Sequence, residues 1–330
     1  MSRQKEKVKI HDVAKAAGVS IATVSRALNN KDNVKESTYK KIMLAVREVG
    51  YENFTMRNDS NLILILMPDI NNPFYSDVVR GISVSANNHN YQEIIVRTGN
   101  HPLTQSFVEN ILHDTNAAGI ITLDPVSSME TLDNLRKKIP IIQCAEHIDH
   151  PTAPYVSIDD ISASKAVVEY IVSKGRRKIA LITGPLMYKY ARKRKEGFFE
   201  ALELSGIEMV SNYIVSLPEF SYDTAFSAAT QLLSMDDRPD AIFAVSDVFA
   251  VAAVKAARRI GLRIPQDVGI IGFDNTETSI MCEPPLTTVK QPQFQLGYLS
   301  CEMLLEQISD NNATPKQLLL DVELVIRESM

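Results

Sequence analysis

The sequence predicts an α/β protein: a small all-α module followed by a larger, two-lobed body built on parallel sheets. Three observations predict it. Residues 10–50 show only helical spacing, continuous apolar strands alternate with helices after Asn61, and that alternation runs through two series of similar size. The chain has 330 residues, room for two or three domains at about 100–200 residues each. With 45% hydrophobic and 23% charged residues it has an ordinary globular composition, so a buried core is expected.

From Ile10 to Ala17 the apolar residues Ile10, Val13, Ala14 and Ala17 recur at helical spacing, and Gly18 supplies the freedom to turn. Ser20 caps a second helix, Ile21 to about Leu28, whose inward face is Val24, Ala27 and Leu28. After the loop NNKDN a third helix carries Tyr39, Ile42, Val46 and Val49 on one side and stops at Gly50. Ala14, Ala17 and Ala27 let the first two helices cross closely, the packing of a helix-turn-helix headpiece. Facing outward are Ile21, Ala22, Ser25 and Arg26, with Thr23 beside them.

That surface suits the major groove of double-stranded DNA. Arg26 can pair bidentately with guanine, Ile21 and Ala22 can touch thymine methyls, and the hydroxyls of Ser20, Thr23 and Ser25 can bind phosphate, with Asn29 completing the candidate set. The charge balance points the same way. Residues 1–60 hold 12 Lys and Arg against 7 Asp and Glu, while the rest of this chain, of net charge −5, holds 23 against 33. The alternative is a plain three-helix bundle that binds protein.

In the body, LILILMPD, YQEIIVRT and AGIITLD read as buried strands, and FYSDVVRGISVSANNH and QSFVENILHDTN as helices between them. The second series begins near Ser162 with the helix SASKAVVEYIVSKG and the strands RKIALITG, DAIFAVSD and DVGIIGFD. Polar residues follow the strands: Asp69, Asp124, Asp159, Asp247 and Asp274. Carboxyl ends of parallel strands line ligand crevices, so these acids mark a cleft between the lobes, each having the alternative role of a helix cap.

These segments also carry a resemblance. VKIHDVAKAAGVSIATVSRALNN followed by VKESTYKKIMLAVREVGY resembles the headpiece of the lactose-repressor (LacI/GalR) family of bacterial transcription regulators. MPDINNPFY, SDVFAVAAVKAARRIGLRIPQDVGIIGFDN and PPLTTVKQP resemble that family's effector-binding core, which is similar in fold to periplasmic sugar-binding proteins. The resemblance implies Phe74 and Tyr75 at the cleft, Arg194 as ligand-binding arginine, and Asp247 and Asp274 as hydroxyl-binding acids, beside Asp69 at its strand end. The chemistry agrees: aromatic faces pack on sugar C–H groups, carboxylates accept from hydroxyls, and a guanidinium donates a planar fork. Phe74 and Tyr75 have core packing as their alternative, and Arg194 lies in a basic run, Lys189 to Lys195, that also fits a solvated helix face.

Two regions depart from the family pattern. The linker YENFTMRNDSN is short and lacks the proline and the minor-groove leucine, leaving Phe54 and Met56 as substitute wedges. In IIQCAEHIDH, Glu146 stands where an arginine is expected, so an effector of different polarity is admitted. The cluster Glu146, His147, Asp149 and His150 is expected to be an exposed polar loop rather than a metal site.

The division expected is residues 1–50 for the headpiece, 51–61 for the shortened linker and 62–330 for the core. One lobe spans about 62–160 and 291–320, the other about 161–289 and 321–330. Three chain crossings, near Ser157 to Asp160, Val289 to Pro292 and Leu319 to Glu323, are expected to hinge the lobes. No GxGxxG, GxxxxGK[ST] or GxSxG motif is present, so no enzyme and no cofactor is expected. No apolar run, LILILM at 62–67 included, approaches the ~18 residues of a membrane helix. The start MSRQKEKVKIHD has no apolar leader and the three cysteines are scattered, so a cytoplasmic location is expected.

The function expected is that of a homodimeric repressor reading a pseudo-palindromic operator under the control of a small-molecule effector, a carbohydrate or its derivative. Control by a protein corepressor, or a sugar-binding module with weak operator specificity, are the alternatives.

Overall fold

The computed structural model describes residues 9–29, 34–49, 60–99, 101–310 and 313–330. Most of the linker, 51–59 with Phe54 and Met56, lies outside them, as do Lys7 and Gly50. The chain forms two compact units, Met1–Ser60 and Asn61–Met330, with separate apolar cores.

The first unit is three helices: α1 (Ile10–Ala17), α2 (Ile21–Asn29) and α3 (Glu36–Val49). Gly18, at φ +66°, ends α1 in the left-handed region, where its N–H returns to the Ala14 carbonyl. Ser20 starts α2, its Oγ accepting from the Thr23 amide at 3.1 Å. Val13, Ala14, Val24, Ala27, Ile42, Ala45 and Val46 close the core between the helices. The side chains of Leu28 and Asn29 lie outside the described set.

The second unit opens with β1 (Leu62–Met67), α4 (Phe74–Asn88), β2 (Gln92–Arg97), α5 (Gln105–Thr115), β3 (Gly119–Thr122), α6 (Met129–Arg136), β4 (Ile141–Cys144) and β5 (Tyr155–Ile158). The chain then enters α7 (Asp160–Ser173), β6 (Ile179–Thr183), α8 (Lys189–Leu204), β7 (Ile214–Ser216), α9 (Tyr222–Leu233), β8 (Ala241–Ala244), α10 (Asp247–Arg259), β9 (Gly269–Ile271), α11 (Glu277–Met281) and β10 (Thr288–Lys290). It finishes with α12 (Gln293–Ser309), β11 (Gln317–Leu320) and β12 (Glu323–Val325).

Two parallel sheets result. The first has the order β11-β5-β4-β3-β1-β2 and the second β7-β6-β8-β9. The antiparallel ribbon β10-β12 joins the second sheet through bridges from Ile271 to Thr287 and from Asp274 to Lys290. The chain therefore passes between lobes three times: from β5 to α7, from β10 to α12, and from β11 to β12. The strands β1, β3, β4, β6, β8 and β9 are almost wholly buried, as their unbroken apolar sequences require. The edge strands β2, β7 and β11 are more exposed; in β2, Ile94 and Ile95 stay 42% and 46% exposed.

Glycine permits the closest helix contacts. A Cβ on Gly81 of α4 would stand 2.1 Å from the Phe294 carbonyl oxygen, and one on Gly297 of α12 would stand 1.9 Å from that of Val78. In the other lobe Gly197 of α8 lies as closely against the Ile161 carbonyl of α7. Backbone cannot yield as a flexible side chain can. Gly297→Ala is expected to force α12 off α4 and destabilise the core by about 1–3 kcal/mol or more. Denaturant unfolding of the two chains checks this; an unchanged midpoint would refute the close approach.

Candidate ligand cleft and candidate nucleic-acid interface

A cleft enclosing about 460 Å³ of space, part of it open to solvent, lies between the lobes. Asn72, Phe74 and Tyr75, at the start of α4, form one wall; Leu123, Ala145 and Glu146, beyond the ends of β3 and β4, and Ile158, the last residue of β5, form another. The opposite lobe contributes Asp160, Tyr190, Arg194, Phe220, Ser246 and Asp274, and Gln291 sits at the second crossing. The strand-end geometry of parallel sheets is thus what builds the cavity.

Its polar groups form one network. Arg194 Nε and Lys189 Nζ each lie 2.8 Å from a different oxygen of Asp160. Arg194 Nη1 donates to the Val245 carbonyl at 2.7 Å and lies 3.5 Å from Asp274 Oδ1. Gln291 donates to Asp274 Oδ1 at 2.7 Å and Ser246 to Oδ2 at 3.1 Å. The guanidinium lies over the Phe273 ring, 3.5 Å from its centroid. Asp160 and Asp274 are buried, and so are Lys189 and Arg194; of the basic run only Arg192 is exposed, with Lys193 and Lys195 half-buried, so Arg194 is no part of a solvated helix face. Two of the cavity residues hold left-handed backbone without being glycine: Ala145 at φ +63° and Asp274 at φ +111°.

Burial acts on the acids unequally. The Asp160 carboxyl stays below its ordinary value because, against desolvation, Lys189 and Arg194 favour its charge. Burial pushes Asp274 up despite Arg194, and pushes Asp247 up with help from the charge of Asp274.

Of the residues expected at the cleft, Phe74, Tyr75, Arg194 and Asp274 line the cavity. Asp247 does not. It is fully buried, and its oxygens accept from the Thr276 amide at 2.7 Å and the Thr288 hydroxyl at 2.6 Å, so it braces the loop after β9. Asp69 also turns elsewhere, accepting from the Asn71 amide at 3.2 Å. Asp159 takes the capping role, accepting from Ile161 and Ser162 at the start of α7. Asp124 lies outside the lining, bonded to the Thr98 hydroxyl through one oxygen, while the other is buried without a partner.

The loop after β4 is exposed only in part: of Glu146, His147, Asp149 and His150, only Asp149 is exposed. Glu146 is 4% exposed and accepts from the amides of Lys189 and Tyr190, and His147 stacks on Tyr155 with ring centroids 3.9 Å apart. Among the described residues no group of three His, Cys, Asp or Glu side chains is arranged to hold a metal ion. No helix among them is long and apolar enough to cross a membrane. Asp160, Tyr190 and Gln291 were not anticipated; Asp160 follows directly on a strand-end acid, and Gln291 lies within an expected crossing.

In the first unit, α2 turns Val24 and Ala27 inward, while Ser20, Ile21, Ala22 and Arg26 are exposed and Thr23 and Ser25 half-buried. Ile21, 47% exposed, is a large apolar residue held in solvent at the helix start. Ser20 and Thr23 hydroxyls bond each other at 2.8 Å, and Arg26 Nε leans on the Ala22 carbonyl at 3.4 Å.

Comparison with known proteins places both units. Residues 9–53 match the family model described as bacterial regulatory proteins, lacI family, and residues 168–330 match the periplasmic binding protein-like domain. The HTH-type transcriptional repressor CytR of Escherichia coli (strain K12) is 34% identical over 99% of this chain and 97% of its own. Among solved structures, the transcriptional regulator CelR–cellobiose complex has a TM-score of 0.74 at 28% identity, over 98% of this chain and 100% of that one. The lac repressor dimer bound to operator and the anti-inducer ONPF has a TM-score of 0.73 at 26% identity, over 98% and 99%.

Asp124 yields a test of the electrostatics. Burial pushes its carboxyl up to about 7, against the lowering effect of the Thr98 bond. The folded chain then holds a proton that the unfolded chain, near 3.9, has released, so this contribution is complete below pH ~4 and is lost as pH rises to 7. Wild type is therefore expected to lose stability relative to Asp124→Asn across that window. Denaturant titrations at each pH check it; a constant difference refutes it.

Proposed function

Because the chain belongs to the lacI family of bacterial regulatory proteins, we propose that it is a DNA-binding transcriptional repressor whose operator affinity is set by a sugar or sugar derivative held between the lobes of its core. The observation that carries the reading is the first turn of α2. Its buried face, Val24 and Ala27, is spent on the bundle, while Ile21 and Ala22 remain exposed at the helix N-terminal end and Arg26, one turn further on, is exposed beside Ala22, the face by which a recognition helix meets base edges. No core of so small a bundle requires that arginine and isoleucine in solvent.

Residues 1–50 act as the headpiece, 51–61 as the linker and 62–330 as the effector core. In the core, aromatic faces at Phe74, Tyr75, Tyr190 and Phe220 suit sugar C–H surfaces, and Asp274 and Arg194 suit hydroxyls. Asp69 and Asp247 act indirectly, by fixing the loops from which cavity residues project. The three crossings act as the hinge, and an effector shifts the open–closed balance by its difference in affinity for the two states. Two copies place their headpieces on successive major grooves, so the operator is a pseudo-palindrome. Exposed Ile280 and Met281 on α11 supply apolar surface for pairing.

Selection of bound duplexes from a random DNA pool by the full-length chain tests this directly. Wild type is expected to enrich a palindrome, and a panel of mono- and disaccharides to contain members that change the enrichment, an effect lost in Asp274→Asn. Arg26→Ala is expected to lose base preference at one position per half-site, at about 1–3 kcal/mol, whereas Lys9→Ala weakens all duplexes alike and lowers the salt slope by about one. Unchanged preference in Arg26→Ala removes that residue from base reading, and no enriched motif removes the operator reading.

A further inference from the structure

We infer that Glu146 occupies the anion position of the cleft from within the chain, so that the effector is uncharged where it meets α8: a neutral polyhydroxylated molecule and not a phosphate ester or a carboxylate. The statement about the effector rests on the cleft being the effector site; the statement about Glu146 does not.

The N-terminus of a long helix is where an anionic ligand is held, because its free N–H groups and the positive end of its dipole point outward. The 16-residue helix α8 opens on the cavity, and its own cap residue, Tyr188, makes no side-chain capping bond. The missing cap comes from the other lobe. Glu146, beyond β4, brings its two carboxylate oxygens to the Lys189 amide at 2.6 Å and the Tyr190 amide at 3.0 Å. With 4% exposure it leaves no space at these amides for a second anion.

The surrounding charges reinforce the exclusion. Glu146, Asp160 and Asp274 all line the cavity. Of the two cations nearby, Lys189 is committed to Ser157 and Asp160, and Arg194 to Asp160, the Val245 carbonyl and Asp274. A buried phosphate would meet carboxylates with no uncommitted lysine to offset them, at a high desolvation penalty. Hydroxyl groups face the opposite situation, since carboxylate oxygens accept more than one hydrogen bond and aromatic rings cover the remaining C–H surface.

The test uses the full-length chain without effector. Its melting midpoint is followed in sodium formate and in inorganic phosphate against chloride at matched ionic strength. Wild type is expected to show no saturable rise with either anion. Glu146→Ala, which uncovers the α8 amides, is expected to melt several degrees lower and to regain part of the loss saturably with formate or phosphate. If that variant is unfolded in chloride, recovery on adding formate supports the inference and failure to recover overturns it. Glu146→Gln keeps the volume and one acceptor, so it is expected to melt between the other two. Three results overturn the inference: a saturable phosphate response in wild type, a folded Glu146→Ala chain that treats formate and phosphate like chloride, or a Glu146→Gln chain as stable as wild type. None of these arms involves an effector, so their failure leaves the cleft reading standing, and failure of that reading appears in the saccharide and Asp274→Asn experiment instead.

Discussion

Burial of the Asp160 carboxylate is the constraint around which the core is arranged. A carboxylate 3% exposed costs several kcal/mol in desolvation unless opposite charges and hydrogen bonds meet both oxygens. Lys189 and Arg194 do so, both from α8, which fixes the rotation of that helix at the first chain crossing. The consequences spread from there. Lys189 reaches on to the Ser157 hydroxyl, which donates to the carbonyl of Ala145, and Arg194 reaches the ends of β8 and β9 through Val245 and Asp274. Loops of both lobes are thus positioned by one buried charge.

Around this polar centre each lobe is stiff. The glycine contacts between α4 and α12 and between α7 and α8 bring backbones together with no side chain to adjust, and close-packed interiors resist deformation. The proposed hinge at the three crossings fits this stiffness, and the left-handed Ala145 and Asp274 hold cavity residues in conformations that only a fixed surrounding can maintain.

The headpiece was legible because its determinants are local. Gly18 and Ser20 announce the turn, and the apolar spacing of Val13, Ala14, Val24, Ala27, Ile42 and Val46 gives its core. The cleft was legible only in part. Strand ends reveal at which end of a sheet a pocket forms but not where each side chain turns: Asp274 enters the cavity, whereas Asp247, at the start of α10, turns back to Thr276 and Thr288. Glu146 was legible as a departure and not as a cap. Its partners lie 43 and 44 residues away and are backbone amides, which leave no mark in residue identity.

The interleaving of the lobes has a consequence for biosynthesis. The first sheet needs β11 for its edge and α12 for its cover. The second lobe closes on Ser329, which bonds to Thr287 and Ile270, and on Met330 against Gly269. Neither lobe is complete until residues 293–330 have left the ribosome, whereas the headpiece has a core of its own from the first 49. During translation the first unit can thus close its core well before the second, and a chain arrested late in synthesis would carry a folded helical unit with an unfinished α/β body.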